Sequence, residues 1–210
     1  MAILARIKKV EDYTLDYLVL IFSSFSLLAN TYIGIMYQND AHIMAINMMY
    51  VVFLLSGLVF HFVFLGGIKF QQVISPSRAR NLIVFVVIGF VCVLIGQTIA
   101  FQVERGAIVL ATFYDELAFY FTAAISESMF FLYLWQSLIE HFLPPVIAPL
   151  VSVPTIAGLF TAYHGLVYGA SVAALIAVLI SGLILSALYY ISRRLSVPMV
   201  IHALVNIIVR

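Results

Sequence analysis

Apolar residues along this chain come in unbroken blocks, not in alternation. The blocks run over 15–37, 43–65, 82–103, 108–139, 146–167, 172–191 and 197–209, and short polar breaks at 38–42, 66–81, 104–106, 140–145 and 192–196 separate most of them. All but the last reach the roughly 20 residues that carry an α-helix across hydrocarbon. Backbone exposed to lipid must satisfy its own hydrogen bonds, so each block is predicted as a helix or as a broken helix shielded by neighbours. Nothing repeats with period two, which argues against a β-barrel. The fold class is therefore all-α: a polytopic transmembrane helix bundle of about seven hydrophobic segments. Two features soften its boundaries. Pro144, Pro145, Pro149 and Pro154 make the fifth block irregular, and the break at 164–171 carries no charge. The last block is short for a span and leaves a re-entrant piece open.

Composition agrees. Of 210 residues, 65% are hydrophobic and 9% charged, against roughly a quarter charged in soluble domains. A net charge of +1 gives no reason to expect nucleic acid as a partner, so the basic residues are read as topology signals. With the N-terminus inside, Arg6, Lys8, Lys9, Lys69, Arg78, Arg80, Arg193 and Arg194 fall on the cytoplasmic side, and only Arg105 and Arg210 fall outside. This predicts a multi-pass protein of the cell membrane with a cytoplasmic N-terminus. The first 13 residues lack a cleavage pattern and are not read as a signal peptide. Cys92 stands alone in an apolar block and is read as a packed thiol.

The remaining chemistry lies in the few titratable residues inside the blocks. An ionisable side chain at bilayer depth costs on the order of 2.5–3.5 kcal/mol, so such residues usually face a cavity and serve function. Glu127 lies about twelve residues into the fourth block, some 18 Å along a helix, and is the carboxylate nearest mid-membrane. His164 closes Phe160-Thr161-Ala162-Tyr163-His164. His202 and Asn206, spaced i and i+4, share one helix face. A carboxylate can take a proton from water, while imidazole and amide groups orient the water or hold a developing oxyanion. One carboxylate with two histidines is equally the composition of a His2Glu metal site, zinc above all, so Glu127, His164 and His202 leave two mechanisms open.

These residues also carry a resemblance. Ser126-Glu127-Ser128-Met129-Phe130-Phe131, then Phe-x-x-x-His ending at His164, then the stretch from Ser196 and Pro198 to His202 and Asn206 resemble the CAAX prenyl protease and bacteriocin-processing (CPBP) family. Its motifs are Glu-Glu-x-x-x-Arg, Phe-x-x-x-His and His-x-x-x-Asn, and the likeness covers 118–207. It divides the chain into scaffold helices over 1–106 and a family-like core over 107–210. It implies a glutamate-dependent intramembrane endopeptidase acting on membrane-embedded or lipidated peptides, including prenylated CAAX-type substrates. Glu127 would activate water, His164 would position it, and His202 with Asn206 would stabilise the tetrahedral intermediate. No cofactor is required on this reading, and metal involvement is open.

The first motif departs from the family. Ser128 stands where the second glutamate would, and Leu132 where the arginine would. Losing both together strands neither charge, which reads as a structural exchange rather than a chemical one. Asp115 and Glu116 mimic the motif, but acidic residues at a helix start explain them, and Glu116 is the weaker candidate for the site. His61, Gln97, Gln102 and Gln136 read as interhelical hydrogen-bonding groups, and His42 and His141 as interface residues. Arg193 and Arg194 read first as a topology anchor. Two rivals to the enzyme stand: a non-catalytic scaffold or helix-binding protein, and a small proton-linked transporter. The transporter reading expects inverted halves, which the sequence does not show.

Overall fold

The computed structural model describes residues 17–64, 112–168 and 171–208. The third apolar block, Cys92, Gln97 and Gln102 lie outside the described residues, as do Arg6, Lys8, Lys9, Lys69, Arg78, Arg80, Arg105 and Arg210. Among the described residues every regular element is helical: α1 (Tyr17–Met36), α2 (Ala41–Phe64), α3 (Phe113–Glu127), a π-helical segment (Ser128–Gln136), α4 (Ser137–Phe142), α5 (Ala148–Tyr168), α6 (Val172–Ser192) and α7 (Ser196–Ile208). The elements from α3 to α4 join without a break, so five continuous helices are long and apolar enough to cross a membrane. Large apolar side chains such as Leu28, Ile35, Met48, Leu150 and Leu166 are exposed on these helices, as suits a surface facing lipid. The protein is a multi-pass membrane bundle.

Local chemistry sets the ends. Asp40 accepts from the backbone N–H groups of His42 and Ile43, each at 3.0 Å, and so starts α2. Thr112 and Asp115 form a reciprocal capping box at the start of α3. Ser171 caps α6 by accepting from the Ala174 N–H. The α6 helix closes on Arg193, which adopts the left-handed conformation (φ 52°). Pro154 lies inside α5, which begins at Ala148. It falls in the second turn, where the ring removes the bond that its N–H would have made to the Leu150 carbonyl and crowds that carbonyl.

The long helix from Phe113 to Phe142 is the most enclosed of the five and forms the centre of the bundle. The α1 and α7 helices pack on α3, α2 packs on α3 and the π segment, and α5 packs on α6. Two glycines permit the closest approaches. A Cβ at Gly57 of α2 would lie 2.9 Å from the Met129 carbonyl, and one at Gly182 of α6 would lie 3.1 Å from the Ala157 Cα. Aromatic rings fill the space between. Phe53 stacks on Phe130 at 4.2 Å, and Phe131 meets Phe160 edge-on at 5.4 Å.

Polar groups on α1 and α2 join the helices. Asn47 donates to the Asn30 carbonyl at 3.0 Å, and Asn30 donates to the Ser26 carbonyl at 2.9 Å. Fully buried Asp115 accepts from the hydroxyls of Tyr32 (2.7 Å) and Tyr37 (2.8 Å), which ties the start of α3 to the end of α1. His61 bonds the Tyr133 hydroxyl across to the π segment, the interhelical role expected for it. Such bonds average about 0.6 kcal/mol in membranes, so together they fix register more than they add stability.

Candidate active site

Glu127 is the last residue of α3 before the helix widens into the π segment. Wider turns of this kind occur often at functional sites, because the extra residue per turn re-aims the side chains that follow. Here Glu127, Ser128, Phe131 and Leu132 all line one cavity, together with Ile156 and Phe160 of α5, Leu185 of α6 and His202 of α7. Both departures from the family motif thus border the same space as the candidate acid.

His202 reaches that space from the middle of α7, whose first turns are buried at Ser196, Val197, Pro198 and Met199. Its Nε2 lies 3.5 Å from Glu127 Oε2, and the two side chains are 8% and 2% exposed. A charged group in apolar surroundings is tolerated when it is paired, and each of these is the other's partner. The distance exceeds the 2.7–2.9 Å usual for a charge-assisted hydrogen bond, so the contact is a loose pairing of carboxyl and imidazole. Such a pair can hold one proton between carboxylate and imidazole and can pass it on.

The other two candidates lie beside the cavity, and neither lines it. His164 is one helical turn beyond Phe160. Its Nδ1 bonds the Phe160 carbonyl at 2.8 Å; a carbonyl can only accept, so Nδ1 carries the proton. The Phe160 ring contacts both histidine rings, at 4.3 Å from His164 and 5.5 Å from His202. Asn206 shares the α3-facing side of α7 with His202, as their spacing requires, and its Nδ2 donates to the Tyr120 carbonyl at 3.5 Å. Among the described residues no three His, Cys, Asp or Glu side chains cluster to hold a metal ion. Glu127 and His202 offer two donors and His164 does not join them, so the set does not fit the His2Glu site that composition left open.

Sequence reasoning missed a second polar cluster. Glu140 read as part of a polar break and Arg193 as an anchor, yet the two form an ion pair in which the Glu140 side chain is 7% exposed. Glu140 also accepts from Gln136 Nε2 (2.8 Å) and Ser152 Oγ (3.2 Å). Gln136 in turn exchanges two bonds with Ser186 of α6, and Arg193 covers the Tyr190 ring at 4.2 Å. The i, i+4 spacing of Gln136 and Glu140 was a readable signal. Their partners Ser186 and Arg193, 50 and 53 residues on, were not.

Fold and site together define a multi-pass membrane protein with a buried carboxylate–imidazole pair facing an intramembrane cavity. Residues 107–208 match the family model described as type II CAAX prenyl endopeptidase Rce1-like. That match takes in the motifs at Glu127, His164 and His202, agrees with the resemblance they led us to expect, and supports a CAAX protease-like enzyme. No curated protein and no solved structure matches the chain.

Proposed function

We propose that this chain is an intramembrane endopeptidase that hydrolyses a peptide bond of a prenylated CAAX-type substrate with water activated by Glu127. The observation that carries the reading is the 3.5 Å contact between Glu127 and His202, both buried and both bordering one cavity. The family match supports the reaction class and a membrane-associated peptide as substrate.

In this reading the Glu127 carboxylate takes a proton from a water molecule as that water attacks the peptide carbonyl. His202 orients the carboxylate and stabilises it while it is charged. Asn206 holds α7 against α3 and so keeps His202 in place. His164 reaches the water when the Phe160 ring swings aside for substrate. The same proposal puts the N-terminus in the cytoplasm of a cell-membrane protein. Arg193 and Arg194 then mark the inner end of the bundle, while Asp40, Asp115 and Glu116 mark the outer end.

The purified protein in nanodiscs, given a farnesylated CAAX peptide in 18O-labelled water, is expected to release the three C-terminal residues. One 18O atom should appear in the newly formed carboxylate. Absence of cleavage would favour a non-catalytic helix-binding protein. Uptake of protons into sealed vesicles without cleavage would favour a transporter.

A further inference from the structure

The family's second glutamate is replaced here by a hydroxyl, and the surroundings of that hydroxyl give it a use. Ser128 is 2% exposed. Its Oγ has no hydrogen-bond partner among the described residues, although a helical serine can usually turn back to a carbonyl one turn earlier. A buried donor left unpaired is costly, and such groups in native proteins call for an explanation. Ser128 borders the same cavity as Glu127 and His202 and carries the one hydroxyl in that lining; Leu132, Phe131 and Phe160 beside it offer no donor.

We infer that Ser128 is a further catalytic residue whose Oγ–H binds the carbonyl oxygen of the peptide bond under attack. The inference rests on the hydrolytic reading of Glu127 above. As water adds, its O–H bond breaks and the proton goes to the Glu127 carboxylate. The new C–O bond forms, and the carbonyl π pair moves onto oxygen, where the Ser128 hydroxyl holds the charge. The pair then returns, the C–N bond breaks, and the proton on Glu127 passes to the leaving amine. A hydroxyl does this better than the carboxylate it replaces, because a carboxylate beside an oxyanion would repel it. The exchange at 128 is thus chemical, not only the removal of a charge that had a partner at 132.

Ser128→Ala separates this role from a packing role, because the two move stability and activity in opposite ways. Deleting an unpaired buried hydroxyl should leave the unfolding midpoint unchanged or raise it by about 1–3 °C. With a farnesylated CAAX peptide in nanodiscs, kcat should fall by about 10–100-fold and KM should stay within about twofold. Binding of a phosphonate analogue of the tetrahedral intermediate should weaken by the same factor as kcat/KM. Ser128→Thr, which keeps the hydroxyl, should retain most of the rate. An alanine variant with wild-type kcat, or one that raises KM alone, overturns the assignment. So does a threonine variant as slow as alanine with its fold intact. If Ser128→Ala is fully active while Glu127→Gln is inactive, this inference fails and the hydrolytic reading stands. If Glu127→Gln is fully active, both fail.

Discussion

Glu127→Gln is expected to reduce peptide cleavage by about 10²–10⁴-fold, the range for loss of a positioned general base. The amide keeps the shape and burial of the carboxylate but cannot accept a proton from water. It is neutral in a site lined by Phe131, Leu132, Ile156 and Leu185 and still faces His202, so burial penalises it less than it does the charged carboxylate. The variant should therefore fold, insert and bind substrate, and the loss should fall on kcat with KM nearly unchanged. Single-turnover cleavage of a farnesylated CAAX peptide, read beside substrate binding by fluorescence, checks both halves. A loss confined to binding would remove Glu127 from the chemistry.

The second large effect concerns stability. Glu140→Ala should destabilise the protein by about 2–3 kcal/mol, below the 3–5 typical of a broken buried pair because the Arg193 side chain keeps 31% exposure. Alanine leaves the Arg193 guanidinium, the Gln136 amide and the Ser152 hydroxyl without a shared acceptor. The cluster joins α4, α5 and the α6–α7 turn, so its loss should loosen the helix that carries His202. Replacing Glu140 and Arg193 together by methionine should cost far less than Glu140→Ala, since it strands no charge. Equilibrium unfolding in mixed micelles measures both. Equal costs for the single and the double variant would show that the pair contributes nothing specific.

Much of this architecture could be read from the residues, for a physical reason. The hydrocarbon thickness fixes the length of an apolar block, and so the blocks at 15–37 and 172–191 reappear as Tyr17–Met36 and Val172–Ser192. The cost of an ionisable group at that depth picked out Glu127 and His202, which the structure brings together. Three things were not legible. No local pattern marks the π segment, where Met129 and Phe130 pack against Gly57 and Phe53 of another helix. The place of His164 depends on where the Phe160 ring lies, so Phe-x-x-x-His located the residue without its orientation. The partners of Glu140 come from other helices, and the charge alone suggested a solvated break. Pro154 misled in the other direction, because its position in the second turn of α5 leaves the helix intact.

A double-mutant cycle on Glu127 and His202 bears most directly on whether they work as one unit. Residues that act together are grossly non-additive. Cleavage rates should therefore show Glu127→Gln with His202→Ala no slower than the worse single variant, within about threefold. Two independent losses that multiply in the double variant would mean that the 3.5 Å contact plays no part in catalysis.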